Sequence, residues 1–188
     1  MKAINRKYKR LRGSIQNGDI ILVRGKSWLP RIIEWADKAY YSHALVVFKV
    51  GDRLLCLQSM ASGVEPYYLS TEIGANIDFC ILRIEEAPNI INRVLDRVFV
   101  KAEYGIPYNF MELPKILLAE RFNIKFKNMQ GNKRDNICSV FAGHTYASKL
   151  CTCYEDAYVK KGYLTPQDLI RYAMLSEIQI IANNPYFI

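Results

Sequence analysis

The stretch YSHALVVFKVGDRLLCLQSM, residues 41–60, predicts a β-hairpin. Residues 44–48 are apolar on both faces, as is usual for a central strand. Gly51 and Asp52 form a two-residue turn, and a glycine in the first turn position suits a type II′ hairpin. We therefore expect antiparallel strands over 42–50 and 53–59.

The turn also determines which residues face each other across this hairpin. With 51–52 as the loop, Leu45 lies opposite Gln58. His43 is two residues from Leu45, so His43 and Gln58 are diagonal neighbours on one face, about 7 to 8 Å apart, which a glutamine side chain can span. Cys56 lies about 13 Å farther along the same face and is a poor partner for His43.

The rest of the chain alternates between strand-like and helix-like patterns. Further strands are predicted over 19–24, 77–84 and 177–182, and helices over 27–40, 89–104, 114–122 and 138–150. Residues 63–66 predict a bend. Thr165 is expected to cap a helix with Pro166 in the first position and Asp168 as the capping-box acid. These elements predict an α+β fold in which helices pack on an antiparallel sheet or small barrel.

A candidate nucleophile, Cys138, lies in the stretch RDNICSVFAGH at 134–144. Asp135 or Asn136 can cap a helix that begins at the cysteine. Helix N-termini expose unpaired N–H groups and a partial positive charge, which lower the pKa of thiols placed there and can hold a developing oxyanion. Cysteine is also a common small core residue, so the reactive interpretation requires a base elsewhere.

Two histidines, His43 and His144, are the candidate bases. His144 is six residues after Cys138, so on a helix it points about 120° away from the cysteine, and we expect it on the surface or in packing. A lone histidine on a strand is usually a packing residue. His43, however, has Gln58 beside it to orient the ring, and Cys, His and an orienting amide form a nucleophile, base and orienter set.

The 188 residues, 51% of them hydrophobic, fit one domain over 1–188 with a sizeable core. Within it we expect a basic N-terminal arm at 1–13 and an insertion at 111–135. No apolar run approaches the roughly 18 to 20 residues needed to cross a bilayer. The N-terminal stretch lacks the pattern of a secretory signal. We expect no transmembrane segment and a cytoplasmic location, with delivery to the cell wall left open.

Composition also bounds the cofactors and partners. Five scattered cysteines have no spacing typical of a disulfide framework or a zinc site, and neither a metal nor another cofactor is expected. The net charge of +8 favours an anionic polymer or a membrane surface as a partner. No nucleic-acid-binding motif accompanies that charge, so dedicated nucleic-acid binding is not expected.

Five short motifs follow one another over residues 18–169. They are Gly18-Asp19-Ile20-Ile21, Tyr41-Ser42-His43-Ala44, Tyr104-Gly105-Ile106-Pro107-Tyr108-Asn109, Ile137-Cys138-Ser139 and Leu164-Thr165-Pro166-Gln167-Asp168. Together they resemble the circularly permuted NlpC-type papain-like cysteine hydrolases, in the YiiX-like branch, which is related to lecithin:retinol acyltransferase-like enzymes. In that family the histidine strand precedes the cysteine helix, the reverse of the order in papain.

The resemblance implies a circularly permuted papain-like fold with Cys138 as nucleophile, His43 as base and Gln58 at the third polar position. The YiiX-like pattern more often has glutamate at that position. An amide still orients the ring through a hydrogen bond, although it stabilises the imidazolium less. Glu65 is a less favoured substitute because it lies beyond the end of the hairpin.

The expected activity is cleavage of an amide, such as a peptide or cell-wall peptide, through an acyl-enzyme on Cys138. Tyr41 or Tyr108 is expected to add a hydrogen-bond donor for the substrate. Two alternatives remain open. One is a lipid acyl hydrolase or acyltransferase on the same fold, and the other is a non-catalytic binding module, which Gln58 would favour.

Overall fold

The computed structural model describes residues 8–9, 11–60, 63–75, 78–83, 113–124, 164–175 and 179–182. The helices predicted over 89–104 and 138–150 lie outside these residues, as do most of the 111–135 segment and the side chains of Tyr108, Cys138 and His144. Predictions made for those parts of the chain stay predictions.

The described strands form one six-stranded sheet in which every pairing is antiparallel. In chain order the elements are β1 (Ile20–Arg24), α1 (Trp28–Asp37), β2 (His43–Val50), β3 (Arg53–Met60), β4 (Gly63–Tyr68), α2 (Leu69–Ala75), β5 (Asp78–Arg83), α3 (Leu113–Phe122), α4 (Pro166–Leu175) and β6 (Gln179–Ala182). The strand order across the sheet is β4-β3-β2-β1-β5-β6. The predicted α+β class with an antiparallel sheet is confirmed.

The hairpin of β2 and β3 has the predicted register. Val50 lies opposite Arg53 and Val47 lies opposite Cys56. Gly51 has a φ of 57°, a backbone conformation that glycine adopts without a steric cost. Strand β2 is central, between β1 and β3, and the side chains of residues 44–47 are fully buried on both faces of the sheet. The continuous apolar run therefore reflects a strand covered on both sides.

The bend predicted at 63–66 is wrong, because these residues begin strand β4. Strand β4 is the outer strand beside β3, and an edge strand tolerates Pro66, which has no N–H to donate to a neighbour. Helix α2 follows directly and was not predicted. Its buried Leu69 and Ile73, four residues apart, are the helical signal in the sequence.

Helix α1 begins after Ser27, which occupies the N-cap position but makes no side-chain capping hydrogen bond. The apolar residues of this helix divide between two of its faces. Ala36 is buried and Ile33 half-buried, whereas Ile32 and Trp35 are exposed to solvent. Helix α1 packs against α3. Its outer apolar residues are therefore not part of the core.

Hydrogen bonds join the end of β1 to the start of β2, beside His43. The Gly25 N–H donates to Ser42 Oγ at 3.1 Å, and the Ser42 N–H donates to the Val23 carbonyl at 3.0 Å. A side chain on Gly25 would place its Cβ 2.4 Å from Pro30 Cγ, inside the contact distance. The absence of a side chain at Gly25 thus allows α1 to turn back close to the strand.

Asp19, from the first of the five motifs, has a structural role. Its carboxylate is fully buried and accepts hydrogen bonds from Arg83 Nε at 2.9 Å and Nη2 at 2.8 Å, and from the Gln16 N–H at 2.8 Å. A buried carboxylate needs such pairing to offset the loss of its hydration. The interaction fastens the chain before β1 to the end of β5.

The predicted capping box of α4 is confirmed. The Asp168 N–H donates to Thr165 Oγ1 at 3.2 Å, and the Thr165 N–H donates to Asp168 Oδ2 at 3.1 Å. Pro166 is the first residue of the helix, where its missing N–H costs nothing. Among the described residues, no helix is long and apolar enough to cross a membrane.

Candidate functional site

The structure brings His43 and Gln58 together, as the hairpin register predicted. His43 Nε2 lies 3.0 Å from Gln58 Oε1, within hydrogen-bond distance. The Gln58 side chain is buried, with 2% of its surface exposed, whereas the His43 ring is half-buried. A buried amide thus holds a ring that keeps part of its surface accessible.

This contact assigns the two ring nitrogens of His43. An amide oxygen only accepts hydrogen bonds, so the proton in this contact is on His43 Nε2. In the neutral imidazole, Nδ1 then has the lone pair. Gln58 therefore fixes the tautomer in which Nδ1 is the nitrogen that can take up a proton.

His43 borders the buried apolar face of the sheet. His43 is the first residue of β2 and lies opposite Val23 of β1, which in turn lies opposite Phe79 of β5. Val23 and Phe79 belong to the buried cluster on this face of the sheet. The apolar core therefore ends at the His43 ring, where the polar pair with Gln58 begins.

Glu65 lies beside this pair, although it follows the end of the hairpin. Strand β4 folds back along β3, so Glu65 is directly opposite Gln58, and opposed residues share a face of the sheet. Glu65 does lie beyond the end of the hairpin, but that position does not separate it from Gln58. The contact with the His43 ring is nevertheless made by Gln58, as predicted.

Glu65 also has a partner of its own. The Tyr67 hydroxyl donates to Glu65 Oε2 at 3.0 Å, and this hydrogen bond to the carboxylate raises the pKa of the Tyr67 phenol. Sequence reasoning missed this pair because it took 63–66 as a bend. The signal was present, since Glu65 and Tyr67 alternate with Val64 and Pro66 at the two-residue period of a strand.

Tyr41 is placed differently from a typical substrate-binding residue. Its side chain is fully buried, packs edge-to-face on Tyr40 with ring centroids 5.0 Å apart, and is hydrogen-bonded to the Cys80 thiol. Cys80 follows Phe79 and so faces the side of the sheet opposite to His43. In this structure Tyr41 has a packing role, and its predicted contact with substrate stays a prediction.

The two described cysteines, Cys56 and Cys80, are buried. Burial raises the pKa of the Cys56 thiol far above its usual range, and burial together with the Asp78 carboxylate raises the pKa of Cys80 to about 12. Neutral thiols are weak nucleophiles. Both cysteines are therefore core residues, which agrees with the expectation that Cys56 does not pair with His43.

A basic groove lies at the opposite end of the hairpin. It has a volume of about 450 Å³, and its lining includes the cations Lys9, Arg12 and Lys49 and the turn residue Asp52. Since His43 is at the start of β2 and Lys49 is near its end, this groove is separate from the His43 site. Within the described part of the chain, no group of three or more His, Cys, Asp or Glu side chains is placed to hold a metal ion.

Comparison with solved structures finds a protein of similar fold. The crystal structure described as that of the metalloprotein YiiX from Escherichia coli O157:H7 matches with a TM-score of 0.59 and 15% sequence identity. The match covers 90% of this chain and 97% of that one. At this level of identity the similarity establishes a YiiX-like fold. No protein-family profile and no curated protein matches the chain.

Proposed function

We propose that this protein is a cysteine hydrolase that cleaves an amide bond through an acyl-enzyme on Cys138, with His43 as the base and Gln58 as the orienting residue. The observation that carries the proposal is the 3.0 Å contact between His43 Nε2 and Gln58 Oε1. The order of His43 before Cys138 and the YiiX-like fold support a circularly permuted papain-like arrangement as the finer classification.

In the proposed reaction, His43 Nδ1 takes the proton of the Cys138 thiol, and the thiolate attacks the carbonyl carbon of the amide. The tetrahedral intermediate collapses with cleavage of the C–N bond, and the proton on Nδ1 passes to the leaving amine. A water molecule then gives its proton to Nδ1 and attacks the thioester. The carboxylic acid is released and the thiol is restored.

Gln58 contributes to this reaction by holding Nε2. The ring is neutral before the thiol is deprotonated and positively charged afterwards, and a hydrogen bond from a charged donor is stronger than one from a neutral donor. The contact therefore stabilises the imidazolium more than the neutral ring. It also holds the ring in one orientation, so that no entropy is lost in orienting Nδ1 during each turnover.

The rate at which each cysteine reacts with iodoacetamide, read peptide by peptide by mass spectrometry, tests this proposal. We expect Cys138 to react faster than Cys151 and Cys153. Cys56 and Cys80 serve as unreactive internal references, because their thiols are buried and their pKa values are raised. The comparison is thus made within one chain under one condition.

Substitution of the histidines supplies the matched controls. His43→Ala should slow the labelling of Cys138 by at least about tenfold, since a general base usually contributes about 10²- to 10⁴-fold. His144→Ala, at the other histidine of the chain, should leave that rate unchanged. If Cys138 reacts no faster than Cys151 or Cys153, and His43→Ala has no effect, the hydrolase proposal fails and the non-catalytic binding module becomes the better interpretation.

A further inference from the structure

The outer face of α1 presents three large apolar side chains to solvent. Trp28, Ile32 and Trp35 are spaced four and three residues apart, so they lie on one side of the helix. Their exposed fractions are 72%, 39% and 56%. Because the side facing the domain is formed by other residues, such as the buried Ala36, this outer stripe does not serve the core.

The neighbouring helix α3 also exposes apolar side chains. Leu118 and Phe122, four residues apart, and Ile124 just beyond the helix are also exposed. The two helices pack against each other, and the Arg121 guanidinium lies 4.7 Å from the centroid of the Trp35 ring. We name the six exposed apolar residues of these two segments, Trp28, Ile32, Trp35, Leu118, Phe122 and Ile124, the tryptophan surface.

The exposed charges of the two described segments that form the tryptophan surface have one sign. In the segments 26–38 and 113–124, the charged side chains that are exposed are all basic, namely Lys26, Arg31, Lys38 and Lys115. The acidic side chains of the same segments, Glu34, Asp37 and Glu120, are buried or half-buried. The surface thus combines an apolar centre with a positive rim.

We propose that the tryptophan surface docks on the headgroup region of an anionic lipid membrane. Tryptophan is favoured at that boundary because its ring is apolar and its N–H is polar, and exposed Lys and Arg are attracted to anionic headgroups. An exposed apolar patch with a basic rim on a pair of helices fits such a boundary. The contact is interfacial, with the helices lying along the membrane.

This inference does not rest on the proposed hydrolase activity. None of the residues that form the tryptophan surface or its rim belongs to the His43 site. A Cys138→Ala protein is accordingly expected to bind membranes as the wild type does. Failure of lipid binding and failure of the hydrolase proposal are therefore separate results.

The two tryptophans of the tryptophan surface are the only ones in the chain, so intrinsic fluorescence reports on this surface alone. Vesicles of equal parts phosphatidylcholine and phosphatidylglycerol should shift the emission to shorter wavelength. Bromine-labelled lipid in the same vesicles should quench it. Binding to phosphatidylcholine alone should be at least about tenfold weaker, because several exposed cations contribute to attraction by an anionic surface.

Matched substitutions distinguish binding through the tryptophan surface from binding through the net charge or other exposed apolar residues of the protein. Phe122→Ser should weaken vesicle binding, whereas Val50→Ser, at a comparably exposed apolar residue on β2, should not. Arg31→Glu should weaken binding more than Lys49→Glu, although each lowers the net charge of +8 by two. Thermal melting of each variant checks that it remains folded.

Three results would overturn the proposal. One is vesicle binding that leaves tryptophan emission unchanged or affects the paired variants equally. Another is a blue shift that grows with protein concentration in the absence of lipid, which would assign the surface to self-association. The third is an equal emission shift with a lipid-free polyanion such as duplex DNA, which would assign the surface to an anionic polymer.

Discussion

Replacing Gln58 by leucine tests the functional interpretation most directly. Leucine has a similar size and is suited to a site with 2% exposure, but it offers no acceptor to His43 Nε2. A hydrogen bond to a neutral group contributes about 1 kcal/mol, and one to a charged group about 1.5 to 3 kcal/mol. The His43 ring becomes charged when it deprotonates the Cys138 thiol. Loss of the hydrogen bond to Gln58 should therefore mainly slow this deprotonation.

The difference between these two values, about 0.5 to 2 kcal/mol, corresponds to about a 2- to 30-fold change in rate. We therefore expect Gln58→Leu to slow the iodoacetamide labelling of Cys138 by that factor. The loss of folding stability should be small by comparison, because the half-buried ring can still donate to water. Urea unfolding of the same sample gives the stability independently of the labelling rate.

Two further variants make this test specific. Gln58→Glu keeps an acceptor at the same reach, so its labelling rate should stay above that of Gln58→Leu. Glu65→Gln removes the carboxylate opposite position 58 but leaves the contact between His43 and Gln58 in place. It should therefore slow the labelling of Cys138 less than Gln58→Leu does. Unchanged labelling in a folded Gln58→Leu protein would refute the role assigned to Gln58.

Two other predictions concern stability. The folded protein raises the pKa of Cys80 from 9.0 to about 12, so its thiol ionises first in the unfolded chain, and the free energy of unfolding should fall as the pH rises from 9.0 toward 12, by about 1.4 kcal/mol per pH unit at most. Denaturant unfolding of Cys80→Ala should show a smaller fall in stability over this pH range. An unchanged fall would show that Cys80 does not cause it. Thr165→Ala removes the hydroxyl that accepts a hydrogen bond from the Asp168 N–H, and should lower stability by about 1 kcal/mol, or about 2 to 4 °C in Tm. Thr165→Ser keeps a hydroxyl and should keep most of the stability. Equal Tm values for the two variants would show that the capping hydrogen bond contributes nothing.

The geometry also suggests a reason for glutamine at position 58. Glu65 is directly opposite on β4, and like charges in opposed positions of a sheet repel each other. A glutamate at position 58 would place two carboxylates there. The amide avoids that repulsion and still accepts the hydrogen bond from His43.

Local signals in the sequence were sufficient for the hairpin and for the α4 capping box. A two-residue turn at 51–52 permits one register, and that register alone places Gln58 within reach of His43. Thr165 and Asp168 make their hydrogen bonds within four residues, so no distant part of the chain is needed to predict them. Such features depend on spacing along the chain, which the sequence states directly.

Only the tertiary structure decided the features that depend on distant neighbours. The sequence around Pro66 predicts a bend, whereas in the structure it is a strand at the edge of the sheet. The position of this strand beside β3 brings Glu65 opposite Gln58. The apolar residues of α1 gave no indication of which face would be buried, because packing against α3 determines it. The sequence thus determined the His43–Gln58 pair, while the fold decided that Trp28 and Trp35 would remain exposed, since burial depends on what the rest of the chain covers.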